Sequence, residues 1–414
     1  MAGRPTVISL QSHRSRCLAA VRALGPVDLT LLQAQDGVLA EDVVSPLDLP
    51  GFDNSAMDGY AVHLRDVAGA SEAAPVRLPV AGDIPAGVTR QTRLAPGQVM
   101  RIMTGAPMPE GAEGVVPVEA SDGGVHQVEL RAPAAPGQHV RRAATDVRTG
   151  DVVLRAGTVL GPAQLALLAA VGRARVSVHA RPRVVVLSTG SELVELGRHP
   201  GFGQVVDSNG LMLAAAVLDA GASLQHLGRA RDEADTFLGS LTAALENADL
   251  VVTTGGVSAG AYDTVKEVLA GLGTVWFGKV AMQPGMPQGF GTIGPNATPI
   301  FTLPGNPVSA FVSFEMFVRP VIRTLAGHTE LDRLSEQAVA ASSWTATPGK
   351  VQLARGVLST AADGRRVVAL TGEQGSHVLG GLAQADCLVV VPEEVTRVEA
   401  GAEVRCLLLD GRRR

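Results

Sequence analysis

The stretch RVVVLSTGSEL, at residues 183–193, decides the fold of this chain. Four apolar residues, Val184 to Leu187, lead directly into the turn residues Ser188, Thr189 and Gly190. An uninterrupted apolar run of this kind predicts a strand buried on both faces, as in a parallel sheet that helices cover. The same pattern recurs in ADLVVTTGGVSAG (248–260) and in TPIFTLPGNP (298–307). We therefore expect three strands of one sheet, each ending in a glycine-rich turn.

Helical patterns separate these strands. DSNGLMLAAAVLDAGA (207–222) predicts a helix that Ser208 or Asn209 would cap. Strands that alternate with helices are typical of a doubly wound α/β domain, which we place at residues 181–328. Further helices are predicted within 9–24, within 29–44 and after Pro162.

The rest of the chain has a different texture. Short strand-like runs such as VRLPV and GVVPV, separated by glycine-rich turns, predict an inserted β-rich domain at 46–140. Residues 1–45 with 141–180 would form an elongated N-terminal helical and linker domain, and 329–414 a small β-barrel-like domain. The expected fold class is thus a multidomain α/β protein with a central doubly wound domain.

The composition excludes several classes of function. The net charge of −5 and an aromatic content of 3% argue against nucleic-acid binding. Cys17, Cys387 and Cys406 are scattered, which makes a disulfide framework or structural zinc site unlikely to form and fits a reducing cytoplasm. The first residues lack an apolar h-region, so we expect no signal peptide, and no apolar run reaches the length of a membrane span.

The glycine-rich turns predict an anion site. Ligands of doubly wound sheets bind beyond the carboxyl ends of the strands, where backbone N–H groups can cradle phosphate. A single turn of this kind would more simply be a tight connection, but three at one edge favour a phosphate site. None is a Walker A loop or a GxGxxG motif, which disfavours ATPase and dehydrogenase activities.

Carboxylates close to these turns suggest a bound metal ion. Glu192 follows the first turn and Asp263 follows the second, and such oxygen ligands suit Mg²⁺. For Glu192 alone, an ordinary acid at a helix N-terminus is the favoured interpretation, whereas the position of Asp263 deeper in its motif favours a metal ligand. Asp207 could be a capping residue, and Asp232 could belong to a solvated helix start. No HExxH, GxSxG or Cys/His pattern is present, so nucleophilic catalysis has no support in the sequence.

A polar loop, FDNSAMDGY at 52–60, lies outside the α/β domain. Asp53, Asn54, Ser55 and Asp58 fall within six residues and follow no helical or strand period. Residues of these types turn a chain readily because they hydrogen-bond their own backbone. On composition alone, the loop is either a structural turn or a part of a site.

Ordered motifs resemble those of the molybdopterin molybdenumtransferases, a family to which the C-terminal region of gephyrin is also similar. The resemblance extends from about residue 29 to 410. It rests on a set of segments found in the same order: LAEDVVSPLDLPGFDNSAMDGYAV, IMTGAPMP, VVLSTGSEL, DSNG, TTGGVSAGAYDTVK, FTLPGNPVSAF and GSHVLGGLAQADCLVVVPE. Each motif alone is a weak signal, whereas the ordered set is specific.

This resemblance implies an activity and an assembly. The chain would insert molybdate into adenylylated molybdopterin and release AMP in a Mg²⁺-dependent step. It would act as a homodimer, with each site between the central domain of one subunit and N-terminal elements of the other. Molybdopterin adenylyltransferase and apo-molybdoenzymes would be further partners. Neither nucleic acid nor a membrane is expected.

The resemblance also implies roles for individual residues. The catalytic positions would be Asp58, Thr104, Asp146, Asp232 and Asp263. Magnesium would be held by Asp58, Glu192 and Asp263. The cofactor-binding positions would be Ser188, Thr189, Gly190, Glu192, Asp207, Ser208, Asn209, Gly255, Gly256, Ser258, Gly260, Lys279, Pro304, Gly305, Asn306, Pro307, Arg355 and Ser376.

One segment departs from the family pattern. The family commonly has lysines in KVAMKPGKP, whereas this chain reads KVAMQPGMP, with Gln283 and Met286 at two of those positions. Neither side chain carries the charge that an anion would meet, unless a nearby arginine takes that place. This departure leaves room for a carrier without turnover or for a preference for tungstate. A further alternative, an adenylyltransferase or pyrophosphatase-type paralogue, rests on the central domain, and the loop at 52–60 and the two flanking β domains argue against it.

Overall fold

The computed structural model describes residues 7–230, 234–256, 264–271 and 274–409. The chain divides into two compact units. The first comprises Met1–Val27, Asp36–Ala40 and Ser177–Arg414, and the second comprises Asp28–Gln35 and Glu41–Val176. The four domain ranges suggested by the sequence are finer than this division and remain a prediction.

A mixed sheet forms the centre of the first unit. Its strands, in spatial order, are Val7–Ile8, Val275–Val280, Pro287–Ile293, Thr298–Leu303, Leu250–Thr254, Arg183–Thr189 and Ser223–Ala230. The three strands expected from the sequence are adjacent and parallel. The strand Pro287–Ile293, by contrast, runs antiparallel to both of its neighbours, because short turns join it to them along the chain. The expectation of a parallel sheet is therefore correct only for part of it.

Helices cover both faces of this sheet, as a doubly wound domain requires. Val184 and Val186 pack on one face with Leu213 of one helix, and Val185 and Leu187 pack on the other face in a separate cluster. The helices of this domain are Ser208–Asp219, Ala234–Leu245, Thr264–Gly271, Pro307–Ser313 and Arg319–Leu325, with the π-helical turn Phe314–Val318 between the last two. This alternation explains the continuous apolar run in the sequence.

Two of the three helices predicted outside this domain are present. The helix Leu10–Ala19 begins after Ser9, whose side chain accepts a hydrogen bond from the Ser12 N–H, and the helix Pro162–Ala170 begins at its proline. The helix expected within 29–44 is wrong, because residues 31–36 form only turns. Asp36 has a left-handed φ of 61°, which ends helical winding there.

A small closed barrel follows in the first unit. Its strands are, in order around the barrel, Val351–Thr360, Arg366–Leu370, Ser335–Ala340, Glu403–Leu408 and Cys387–Val391, and the last pairs again with the first. The short helix Leu379–Gln384 precedes the Cys387–Val391 strand, and the strands Trp344–Thr345 and Arg397–Val398 pair beside the barrel. The barrel contacts the central domain where Met282–Gln283 pairs in parallel with the start of Val351–Thr360.

The second unit contains the β-rich insertion. Its main sheet has the order Gly114–Pro117, Gly59–Val62, Val99–Ile102, Val76–Ile84 and Gln127–Leu130. Short pairs join Asn54–Ser55 to Val140–Arg141 and Val43–Val44 to Val152–Leu154. The segments Leu64–Val67 and Val118–Ala120 are helical. Tyr60, Val62, Val116 and Val128 lie in its buried core.

The remaining strands form two-stranded sheets outside those described above. The strands Pro26–Thr30 and Arg175–His179 span the residues at which the chain passes from one unit to the other, and Leu193–Val194 pairs with Val205–Val206. Within the described residues, no helix has the length and apolar character needed to cross a membrane.

Candidate functional site

A cavity of about 950 Å³ lies at the carboxyl ends of three adjacent strands of the central sheet. The three glycine-rich turns predicted from the sequence meet there. They contribute Ser188, Thr189, Gly190, Thr254, Gly255, Gly256, Pro304, Gly305, Asn306 and Pro307 to its wall. This is the position at which doubly wound sheets bind ligands.

Side-chain hydrogen bonds hold the turns together. Thr189 Oγ1 donates to the Thr254 carbonyl at 3.2 Å, and Thr254 Oγ1 donates to the Pro304 carbonyl at 3.1 Å. Asn209, at the start of the following helix, donates to the Gly305 carbonyl at 2.7 Å and to Thr254 Oγ1 at 3.1 Å. These side chains fix the turns relative to one another, so that the cavity has a preformed wall.

Glycine is required in the middle turn. Gly255 and Gly256 have φ values of 95° and 67°, which side chains rarely adopt. A Cβ at Gly255 would collide with the Thr189 carbonyl, and one at Gly256 would lie 2.8 Å from the Val265 side chain. The two glycines therefore allow the strand ends to approach closely, which explains why this turn has two glycines in succession.

Asp207 caps the helix Ser208–Asp219. Its Oδ1 accepts hydrogen bonds from the Gly210 N–H at 2.9 Å and from Ser188 Oγ at 3.0 Å. The expectation that Ser208 or Asn209 is the cap is therefore wrong, because both already belong to the helix. Asp207, Ser208 and Asn209 all line the cavity, and Oδ1 of Asp207 accepts both of these hydrogen bonds.

Glu192 is the second acid on the cavity wall. Its carboxylate lies directly over Gly190, where an added Cβ would be 2.7 Å from both of its oxygens. The side chain is exposed. Glu192 thus offers carboxylate oxygens at the edge of the first turn, and its role as a metal ligand remains a prediction.

The opposite wall comes from the barrel and from residues 282–287, at the tip of the hairpin that the strands Val275–Val280 and Pro287–Ile293 form. Gln283, Met286 and Lys350 line the cavity, together with Gln374, Gly375 and Ser376 of a barrel loop. Asn306 Nδ2 donates to Ser376 Oγ at 3.0 Å, which joins the third turn to this loop. Ser376 therefore lies on the cavity wall beside the third turn, and its expected role in cofactor binding remains a prediction.

Arg355 and Lys279 do not line the cavity. The Arg355 guanidinium is buried and donates to the carbonyls of Glu373 at 2.6 Å and Gly375 at 3.0 Å. It therefore supports the loop that carries Ser376 and does not reach the ligand space. Lys279 is exposed on the strand Val275–Val280. The cofactor-binding role expected of each residue remains a prediction.

Sequence reasoning missed Lys350. It immediately precedes the strand Val351–Thr360 in the motif TPGKV, and it is half-buried in the cavity wall. The one available signal was the rarity of lysine, since the chain has only Lys266, Lys279 and Lys350.

In the second unit, Asp58 and Thr104 are direct partners. Asp58 Oδ1 accepts hydrogen bonds from the Thr104 N–H at 2.7 Å and from Thr104 Oγ1 at 2.8 Å. The hydrogen bond from the Thr104 N–H and, to a smaller extent, that from its hydroxyl lower the pKa of Asp58 below its ordinary value. The carboxylate is therefore ionised at neutral pH. Both side chains are exposed.

The rest of the loop 52–60 has a structural role. Asp53 accepts hydrogen bonds from Arg142 Nη1 at 2.7 Å and from the Ala143 N–H at 2.8 Å. Asn54 and Ser55 are buried and pair with the strand Val140–Arg141. The loop thereby presents Asp58 at the surface.

Asp146 lies on the segment that flanks this loop. Its N–H donates to the Leu49 carbonyl at 2.9 Å, and its side chain is exposed. Residues 49–56 pair with residues 139–147 in antiparallel orientation. Asp146 lies near one end of this ladder, and Asp58 lies just beyond its other end.

Four expected site residues, Asp232, Ser258, Gly260 and Asp263, lie outside the described residues. Among the residues that the structure does describe, no group of three or more His, Cys, Asp or Glu side chains could hold a metal ion.

Comparison with known proteins agrees with this architecture. Residues 8–172 match the family model of the MoeA N-terminal region (domains I and II), and residues 337–409 match that of the MoeA C-terminal region (domain IV). Residues 185–324, which contain the three turns, match the probable molybdopterin binding domain. The fold and cavity thus define a protein of the class that carries a molybdopterin-binding domain.

Whole-chain relatives narrow this class to a family. Molybdopterin molybdenumtransferase 2 of Mycobacterium tuberculosis (strain ATCC 25618 / H37Rv) is 48% identical over 403 residues, which cover 96% of this chain and 98% of the relative. Molybdopterin molybdenumtransferase of Haemophilus influenzae is 38% identical over 381 residues, covering 91% and 92%. The chain belongs to the molybdopterin molybdenumtransferase family, transferases of molybdenum cofactor biosynthesis.

A solved structure supports the same assignment. The molybdopterin biosynthesis moea protein from Pyrococcus horikosii superposes with a TM-score of 0.82 at 31% sequence identity. The match covers 98% of this chain and 100% of that one. The similarity therefore includes both units and the barrel.

Proposed function

We propose that this protein inserts molybdate into adenylylated molybdopterin and releases AMP. The observation that carries the proposal is the preformed cavity at the carboxyl ends of the three strands, within the segment that matches a molybdopterin-binding domain. Its glycine turns place small residues along one wall, where a phosphorylated ligand can approach the backbone closely.

The reaction needs positioning more than covalent chemistry. In this proposal, the turns at Gly190, Gly255 and Gly305 bind the phosphorylated ligand, and the barrel loop at Ser376 closes the opposite side. Thr189, Thr254 and Asn209 keep the turns in place through their hydrogen bonds. A wall that is held in place in this way can orient the ligand without having to reorganise during the reaction.

Magnesium fits the exposed carboxylates, which are the oxygen ligands that it prefers. Glu192 lines the cavity, and Asp58 uses one oxygen for Thr104. In our proposal these two residues and Asp263 would hold the ion, and Asp146 and Asp232 would act nearby. When bound, magnesium would neutralise charge on the pyrophosphate.

The arrangement proposed here requires a homodimer, in which Asp58 and Thr104 of one subunit approach the cavity of the other. The exposure of both side chains in a single chain supports this assembly. Molybdopterin adenylyltransferase would supply the substrate, and apo-molybdoenzymes would take the product. We expect a cytoplasmic location.

The test is AMP release from adenylylated molybdopterin by the purified protein with Mg²⁺, measured with and without molybdate. We expect molybdate to stimulate release and the product to activate an apo-molybdoenzyme. Release that does not depend on molybdate would contradict the proposal and favour a pyrophosphatase-type activity. Binding without any release would favour a carrier. Substituting tungstate for molybdate in the same assay gives the metal preference.

A further inference from the structure

We propose that Lys350 forms an oxyanion subsite of the cavity and binds a tetrahedral, doubly charged group of the ligand. This inference deepens the proposed function and rests on it for the identity of the ligand. The chemical class is shared by a phosphate group and by molybdate itself, so the subsite would serve either one.

The charges around the cavity give the first reason. Within the described part of the chain, the charged side chains that line it are Glu192, Asp207 and Lys350. Asp207 caps a helix, and Glu192 repels anions unless a cation accompanies it. The wall therefore has a single positive side chain among its described residues. A dianion in this cavity needs such a partner, because charge-assisted hydrogen bonds are about twice as strong as neutral ones.

The register of two strands gives the second reason. The Val351 N–H donates to the Ala281 carbonyl at 3.0 Å, Val351 pairs with Met282, and Gln352 pairs with Gln283. Lys350, which precedes Val351, therefore lies beside the start of the segment 282–287, which lines the cavity. Gln283 and Met286, the positions at which the resemblance leads us to expect lysine, are in that segment. Lys350 supplies a positive charge to the same wall from the adjacent strand.

The ammonium group is also available. Lys350 is half-buried, and it forms no hydrogen bond or ion pair with another described residue. Its three N–H donors can therefore be used by a ligand. By comparison, the Arg355 guanidinium, on the same strand, is committed to backbone carbonyls. Arg355 thus does not replace the missing lysines, whereas Lys350 can.

The hairpin beside Lys350 has a fixed path. Gly285 has a φ of 97°, and a Cβ there would lie 2.7 Å from Ser313 Oγ. Gln288 Nε2 donates to both the Gly285 carbonyl and Ser313 Oγ at 2.6 Å. This buried network holds the wall in place, so the subsite does not have to be ordered when an anion binds.

The experiment is calorimetric titration of the full-length protein with sodium molybdate and, separately, with inorganic phosphate, without pterin. Lys350→Gln should weaken binding of the preferred anion about tenfold or more, as expected for the loss of a charge-assisted bond. Lys350→Arg should retain most of the affinity. Lys266→Gln, at an exposed lysine outside the cavity wall, is the matched control and should bind like the wild type.

Two further readouts separate binding from folding. The slope of log affinity against log salt should become shallower in Lys350→Gln, since one positive charge is lost. Adding Gln283→Lys to Lys350→Gln should restore part of the affinity from the neighbouring strand. Whichever anion shows the larger loss identifies the group that the subsite binds.

Unchanged affinity and salt slope in Lys350→Gln, or a wild type that binds neither anion, would overturn the inference. The outcome is independent of AMP release. If Lys350 governs anion binding but molybdate does not stimulate release, the proposed function fails and the subsite remains. If release depends on molybdate while Lys350→Gln binds normally, the subsite fails and the function remains.

Discussion

The side-chain amide of Asn209 donates to the backbone carbonyl of Gly305 at 2.7 Å. The same amide reaches Thr254 Oγ1, which in turn donates to the Pro304 carbonyl. One side chain at a helix start thus connects the second and third glycine turns. The geometry of the cavity depends on this connection, since the turns themselves contain few side chains.

Asn209→Ala should therefore loosen the cavity. We expect a loss of about 1–2 kcal/mol in the free energy of unfolding, as for two hydrogen bonds. Affinity for adenylylated molybdopterin should fall about tenfold, measured by calorimetry. Asn296→Ala, in the exposed turn before the strand Thr298–Leu303, is the control and should change neither quantity. Equal effects of the two variants would show that Asn209 does not organise the turns.

Gly255→Ala should destabilise the protein by about 1–3 kcal/mol, because the added Cβ combines an unfavourable backbone conformation with a collision at Thr189. Chemical denaturation measures this loss. Gly239→Ala is the matched control, since a Cβ at this exposed helical position has nothing within 4 Å. It should stabilise by about 0.5–1 kcal/mol through helix propensity. Destabilisation by both variants would contradict the special role of Gly255.

Asp58→Asn should remove most molybdate-stimulated AMP release and leave dimerisation unchanged, because the amide keeps the shape but loses the charge. Asp48 provides an unusually close control. Its Oδ1 accepts from the Thr149 N–H at 2.7 Å and from Thr149 Oγ1 at 2.9 Å, the same arrangement as Asp58 with Thr104. Asp48→Asn should retain activity. Retained activity in both variants would exclude Asp58 from the site.

Acidification should destabilise the first unit through His13. This residue is fully buried against the Phe317 ring, and burial, with a smaller effect of the Arg16 charge, lowers its pKa from 6.5 to about 4. The unfolded chain therefore binds a proton at pH values where the folded chain does not. Stability falls as the pH drops from 6.5 to 4, by about 3 kcal/mol for this group, and does not fall further below 4.

The test is the pH dependence of the free energy of unfolding in His13→Gln. The slope between pH 4 and 6.5 should be smaller than in the wild type. It should not vanish, because burial and the charges of Arg323 and Arg319 also lower the pKa of His328 to about 4. His126→Gln, at an exposed position, should keep the wild-type slope. An unchanged slope in His13→Gln would contradict the assignment.

Local pattern predicted much of this fold. The run Val184–Leu187 indicated a strand buried on both faces, and the structure shows its residues alternating between two cores. The antiparallel strand Pro287–Ile293 was not foreseen, because strand direction depends on the path of the connections. Residues 31–36 were misread as helical, since the left-handed Asp36 is not visible in an apolar pattern.

The site was predictable only in part, for a similar reason. Glycine turns after apolar strands identify a ligand edge, and they meet at the cavity as expected. The part that Lys350 plays in the wall depends on strand register between two domains, which residue spacing does not encode. Arg355 matches a family motif, but its guanidinium donates hydrogen bonds to backbone carbonyls, which only the packed structure shows.

The most direct test of the central claim is hydrogen–deuterium exchange with and without adenylylated molybdopterin. The account predicts slower exchange in peptides that contain residues 188–192, 254–256, 304–307 and 374–376, the segments that line the cavity. The strand Gln127–Leu130 in the second unit, which does not pair with the segment that carries Thr104, serves as the internal reference and should exchange at the same rate in both samples. Protection that is absent from all four cavity segments and appears elsewhere would contradict the account.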